Sequence, residues 1–178
     1  PRKVMYKGEW TDLQQWTESI AVKDADPVEL TIRVTPHGPI ITDMLDGYEG
    51  DPVALWWLFH AAKHENAEMF YELGRAKTID ETRSAVSMLV APGLNISYAD
   101  KDGNIAWWAA GRIPIRPEHV NSKTILDGAS GNDEVIGYVP FSENPQLENP
   151  PSGVIVTSNN MSTRMPVGPI AELEGYWQ

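Results

Sequence analysis

Two histidines four residues apart, His60 and His64, are the first pattern in the chain that could do chemistry. On a helix that spacing presents two imidazoles on one face to a metal. The residues between them, Ala61, Ala62 and Lys63, include no glutamate, which the zinc-protease pattern requires. A third ligand, Glu68 or His119, would have to come from elsewhere, so the pair is read as an ordinary helix face. Asp100-Lys101-Asp102-Gly103 has the composition of a calcium loop, but its glycine comes too early and no bidentate glutamate closes it. Asp and Gly are also what a hairpin turn needs, and that reading is preferred. Gly128-Ala129-Ser130-Gly131 is one residue short of a serine-nucleophile elbow and has no strand before it. The scattered carboxylates select no acid–base pair by spacing. There is no cysteine, which excludes disulfides and thiolate chemistry. Taken alone, Asn159-Asn160 is the end of a strand running into a turn.

The elements that must position these residues fall in three blocks. Val28, Leu30, Ile32 and Val34 alternate with Glu29, Thr31 and Arg33, the period-2 pattern of a half-buried strand. Ile20 and Val22 begin the same alternation before Lys23-Asp24-Ala25-Asp26-Pro27, which predicts a hairpin. Extended structure restarts at Gly38. Asp51-Pro52 reads as an N-cap with proline at the first helical position, opening a deeply buried helix over Val53–Lys63. A second helix is expected from Asn66 to Leu73, stopped by Gly74. Thr78 and Glu81 form a capping box for a third, running to Ala91 before Pro92-Gly93. Strands return at Leu94–Ala99 and Asn104–Gly111, around the Asp100 turn. A polar loop over 118–133 follows, then a short buried strand over Gly153–Thr157. Strands, then helices, then strands indicate an α+β layered fold rather than βαβ units.

Bulk properties narrow the partners. A chain of 178 residues with 42% hydrophobic content can build a core and is read as a single domain over 1–178. A formal charge of −11 argues against nucleic acid, whose phosphates call for clustered Lys and Arg. No apolar run approaches the roughly 20 residues of a bilayer-spanning helix, so no membrane partner is expected. Seven tryptophans must be mostly buried or mark a surface that packs on something else.

Six collinear blocks resemble the β-chain of the penicillin acylase (penicillin amidase) family. Thr31-Ile32-Arg33-Val34-Thr35-Pro36-His37-Gly38-Pro39-Ile40, after Trp10, is similar to the family's Arg-x-Thr-x-His-Gly-Pro strand. The Trp-rich stretch from Val53 and the helix over 79–91 resemble its central helical pair. Asn95-Ile96-Ser97-Tyr98-Ala99-Asp100 with Gly103-Asn104-Ile105 matches its Asn-x-x-Tyr-Ala-Asp-x-x-Gly-Asn-Ile hairpin. Gly111-Arg112-Ile113-Pro114-Ile115-Arg116, Gly137-Tyr138-Val139-Pro140-Phe141 and the run from Asn149-Pro150-Pro151-Ser152-Gly153 to Asn159-Asn160 complete the series.

The resemblance implies part of an αββα sandwich of the N-terminal-nucleophile hydrolases. There the serine that begins the β-chain attacks an amide and forms an acyl-enzyme. A backbone N–H and an Asn side chain hold the oxyanion; that Asn maps onto Asn159. Leu94 and Asn95 map near the acyl pocket, with core packing an equal reading for Leu94. His37, Tyr98, Trp56 and Trp57 are read as structural. No residue here maps onto the nucleophile, so the chain is expected to be an internal β-chain fragment, inactive alone. Its expected partners are an N-acyl small-molecule substrate and the rest of the precursor, the α-chain and remaining β-chain. No cofactor and no metal are expected, and a bacterial periplasmic or secreted setting is implied. The rival expectation is a non-catalytic ligand-binding or structural domain on the same fold.

Overall fold

A computed structural model describes residues 2–158 and combines helices with antiparallel sheets, an α+β fold. Asn159, the expected oxyanion donor, lies outside the described residues. The described residues form two compact units, one of 2–61 with 117–134 and the other of 62–116 with 135–158.

In the first unit β1 (Lys3–Tyr6) pairs with β2 (Glu9–Asp12), and β3 (Gln14–Ile20) pairs with β4 (Val28–Thr35). The predicted hairpin therefore forms, with Ile20 opposite Val28 and Trp16 opposite Ile32. A short β5 (Gly38–Pro39) folds back on β4. The apolar face is half-buried only toward the β4 C-terminus; Val28 and Ile20 remain about half exposed.

The long buried helix expected over 53–63 does not form. Only Leu58–Ala61 is helical (α1), and Trp57 is 51% exposed. Residues 53–55 run extended instead. Leu55 N–H donates to the Pro39 carbonyl at 2.8 Å, and Ile41 N–H to the Val53 carbonyl at 2.9 Å. Val53 N–H donates to Thr42 Oγ1 at 2.8 Å. Backbone groups engaged in strand-type pairing cannot also serve an i→i−4 ladder, so apolar composition is overruled by a local partner. Gly38 permits this pairing: at φ 133° its backbone abuts Leu55, and any β-carbon would collide with the Leu55 carbonyl.

In the second unit α2 (Asn66–Arg75) and α3 (Ile79–Val86) pack on one face of a three-stranded sheet. Its order is β10 (Gln146–Glu148), β7 (Ile105–Ala110), β6 (Leu94–Ala99), all antiparallel. Met69, Val86 and Leu89 meet Ala106, Trp108 and Ala110 there, and Trp108 is fully buried. A two-stranded sheet of β8 (Pro114–Ile115) and β9 (Gly137–Tyr138) adjoins. The predicted cap forms on its Thr78 side, with Thr78 Oγ1 accepting from Glu81 N–H at 3.2 Å, while the Glu81 carboxylate reaches one residue further back, to Lys77 N–H at 2.7 Å.

Two predicted boundaries move. α2 continues through Gly74 to Arg75. α3 stops at Val86 rather than Ala91: Met88 and Leu89 N–H make i→i−3 turns to Ala85 and Val86, and the Asn66 amide then holds the chain beyond. Asn66 Nδ2 donates to the Ala91 carbonyl at 2.6 Å, and its Oδ1 accepts from Val90 N–H at 3.4 Å. The strand expected over 153–157 is also absent, with Val154 and Val156 strongly exposed.

Candidate functional site

The site is approached along the β6–β7 hairpin and the segment that leaves β10 toward Ser158. Asp100 organises the hairpin turn. Its Oδ1 accepts from the backbone N–H groups of Asp102 and Asn104, each at 2.9 Å. Its Oδ2 accepts from Asn104 Nδ2 at 2.8 Å and from the Tyr98 hydroxyl at 2.9 Å. The Asn104 amide, ahead of desolvation and the remaining donors, holds the Asp100 carboxyl down to about 2. Burial, with the hydrogen bond to Asp100, pushes the Tyr98 hydroxyl up. A carboxylate satisfied by four donors is a poor proton acceptor, so Asp100 shapes the turn rather than exchanging protons.

Asn104 passes the order on. Its Oδ1 accepts from Asn149 Nδ2 at 3.0 Å, and Asn149 Oδ1 accepts from Ile105 N–H at 2.9 Å. The sheet thereby grips residue 149, immediately after β10. On β10 itself, Glu148 receives Arg83 through both Nε and Nη2 at 2.6 Å and the Trp108 indole N–H at 2.8 Å. The Arg83 fork, as the largest influence, holds the Glu148 carboxyl below its ordinary value. This pair ties α3 to β10, and within α3 Arg83 also donates to Asp80 at 2.7 Å. Asn144, buried before β10, donates to the carbonyls of Ala109 and Gly111, both at 2.9 Å.

The other predicted site residues are placed as follows. Leu94 lies opposite Ala110 and Asn95 opposite Ala109. Strand alternation sends their side chains to opposite faces of the sheet. Leu94 shares the helix-covered face with Trp108 and Ala110 by register, and is 38% exposed. On the opposite face Asn95 Oδ1 accepts from the Trp107 indole at 2.9 Å. An open cleft of about 300 Å³ lies between Ser97, Tyr98, Ile105 and Ala106 of the hairpin and the segment 153–155. Leu94 and Asn95 do not line it. His60 is in α1 while His64 lies past its end, so the helix face carrying both does not exist. Among the described residues no three His, Asp or Glu side chains gather as metal ligands.

Sequence reasoning missed Asn144, Asn149, Arg83 and Glu148. Asn149 carried a signal, because it opens the Asn-Pro-Pro-Ser-Gly block. The Arg83–Glu148 pair spans 65 positions and carried none.

In the first unit, His37 and Glu134 meet at 2.6 Å, with Tyr6 edge-on to the imidazole at 5.2 Å. That contact closes the 117–134 loop and gives His37 a structural place. Within the loop the side-chain hydrogen bond from Ser130, first among several donors, lowers the Asp127 carboxyl. Asp133 is lowered chiefly by the Asp127 backbone N–H, then by His119.

These motifs and this fold have relatives. A thermostable penicillin G acylase from Alcaligenes faecalis superposes with a TM-score of 0.77 at 25% identity, over 94% of this chain and 30% of that one. Acyl-homoserine lactone acylase QuiP of Pseudomonas aeruginosa is 28% identical over 181 residues, covering 96% of this chain and 21% of its own. Penicillin G acylase of Escherichia coli is 28% identical over 171 residues, covering 90% and 18%. The chain thus spans about a fifth of the length of the curated relatives it matches. The family model described as penicillin amidase matches residues 1–178, and the chain belongs to the penicillin amidase family.

Proposed function

We propose that this chain is the scaffold and oxyanion-hole portion of an amidohydrolase that cleaves N-acylated small molecules. The substrates would be of the β-lactam side-chain or acyl-homoserine lactone type, matching the names of its relatives. The observation that carries this reading is the family match over every residue of the chain. The catalytic serine would come from another part of the parent precursor, together with its α-chain and the remaining β-chain. Its hydroxyl adds to the amide carbonyl while its α-amine takes the hydroxyl proton; that proton passes to the amide nitrogen as the C–N bond breaks, the amine leaves and the acyl-enzyme forms, and water then releases the acid and restores the serine hydroxyl. Asn159 would donate its side-chain N–H to the oxyanion. Leu94 and Asn95 would contribute to the acyl side of the site, and a bacterial periplasmic or secreted setting fits the family.

Without the nucleophile the chain alone should be inactive, because the acyl-enzyme route is lost altogether. The test is hydrolysis of chromogenic N-acyl amides by the full-length, self-processed protein and by its Asn159→Ala variant. Losing one oxyanion donor should lower kcat by about 10²–10³-fold with processing intact. An active enzyme indifferent to the substitution removes Asn159 from the oxyanion hole. A processed protein inactive on every amide points to a non-catalytic member of the family.

A further inference from the structure

The β3–β4 hairpin divides into two kinds of surface. Register and strand alternation put Gln15, Thr17 and Ser19 of β3 on one face with Arg33, Thr31 and Glu29 of β4. That face suits water. The other carries Trp16, Ile20, Val28 and Leu30, which stay between 38% and 53% exposed. Ile20 lies opposite Val28, and Leu30 is diagonal to both Trp16 and Ile20, so the four side chains form one patch. An antiparallel sheet with one polar face normally packs its apolar face on a core. The chain by itself leaves this one in water, and a contiguous patch of large apolar side chains marks a surface that something else covers.

One group on the face fixes the chemistry of the cover. Glu18 lies opposite Leu30, between Trp16 and Ile20 on the same side of β3. Its Oε1 accepts from the Trp16 indole N–H at 2.8 Å. In water the carboxylate needs nothing more. Under an apolar cover it is stable only with a cation or further donors against it. The cover must therefore be mainly apolar and bring an Arg or Lys to Glu18.

Charge and length decide between occupants. A second copy of this chain, face to face, would bring an identical Glu18 and a further formal charge of −11, which opposes self-pairing. An anionic lipid surface is repelled in the same way. More of the same precursor is available. This chain spans about a fifth of the length of its curated relatives, and its fold occupies 30% of the solved Alcaligenes faecalis acylase chain.

We propose that the apolar face of β3–β4 is a docking surface for a segment of the parent precursor outside this chain, mainly apolar, with a basic side chain set against Glu18. The proposal rests on the reading that the chain is one portion of a longer precursor. It makes no use of Asn159 or of catalysis.

The experiment uses the full-length, processed protein. Hydroxyl-radical footprinting reads the exposure of Trp16 and needs no substitution, so it stands where a variant fails to fold. A photoreactive p-benzoylphenylalanine in place of Val28, and separately of Leu30, crosslinks to whatever lies on the face. Trp16 should be oxidised at a small fraction of its rate in the urea-unfolded protein. The crosslinked peptide should come from the same precursor beyond residues 1–178 and hold Arg or Lys among apolar residues. Trp16 oxidised as fast as in the unfolded protein overturns the inference. So does a crosslink within residues 1–178, one that joins two copies (recognised by mixing heavy-isotope and ordinary protein), a peptide without a basic residue, or no crosslink from either position. A mature protein whose intact mass is that of this chain alone overturns the precursor reading and this inference with it. The expected crosslink in a protein inactive on every amide leaves this inference standing and overturns the amidohydrolase reading alone.

Discussion

The β3–β4 and β6–β7 hairpins are both antiparallel and both turn through aspartate, yet they are held in different ways. β4 carries the cleaner apolar alternation, but Val28 and Leu30 are exposed, as are Trp16 and Ile20 across the ladder. β7, Ile-Ala-Trp-Trp-Ala-Ala, has no alternation and is buried from Ala106 to Ala110. β7 is flanked by strands on both edges and covered by α2 and α3, whereas β3 lies exposed along its whole length. The turns differ likewise. Asp100 collects four donors, while the 20–28 turn has a backbone bond from Ala25 to Val22 at 3.3 Å. Apolar character states what a strand could bury; the packing partner decides what it does bury.

That contrast can be broken most forcefully at Trp108. Its side chain is fully buried and also donates to Glu148, so Trp108→Ala should destabilise the chain by about 3–5 kcal/mol in urea unfolding. A loss below about 1 kcal/mol would mean that the second unit is not held by this core.

A smaller effect belongs to the Asp100 turn. Its folded-state carboxyl sits at about 2, below the ordinary value near 3.9. The ionised group therefore contributes stability that is fully present above about pH 4 and disappears as pH falls through about 2. Thermal unfolding against pH should show this acid-linked loss in the unaltered chain and not in Asp100→Asn. An Asp100 carboxyl that titrates near 3.9 by NMR would contradict the network drawn around it.

The smallest effect is expected on the other hairpin. Val28→Thr removes an exposed apolar group and keeps β-branching, so stability should change by no more than about 0.5 kcal/mol. A loss comparable to a core substitution would show that the β4 face is buried in solution, and would erase the contrast.

Much of this architecture was legible in local pattern. The β3–β4 hairpin, the Thr78–Glu81 cap, the Asp100 turn and the irregular 118–133 loop depend on neighbours a few residues apart, and the residue types carry that information. The family motifs were legible too, and the family they resemble is the one the chain belongs to. The missed features share a cause. Residues 53–55 look helical by composition but are captured by Pro39, Ile41 and Thr42. α3 gives way to i→i−3 turns before the distant Asn66 amide takes Val90 and Ala91, and residues 153–157 stay exposed rather than pairing.

The sequence by itself thus determined the α+β class, the two hairpins, the Thr78 cap, the Asp100 turn and the family, because short-range sterics and hydrogen bonding act between residues close in the chain. Only the tertiary structure decided which apolar face is covered, that Arg83 grips Glu148, and that the Asn149 amide replaces a main-chain carbonyl for Ile105. Those outcomes join residues 44 and 65 positions apart, and a distant donor or packing partner overrides local preference wherever it satisfies a buried or backbone polar group more completely.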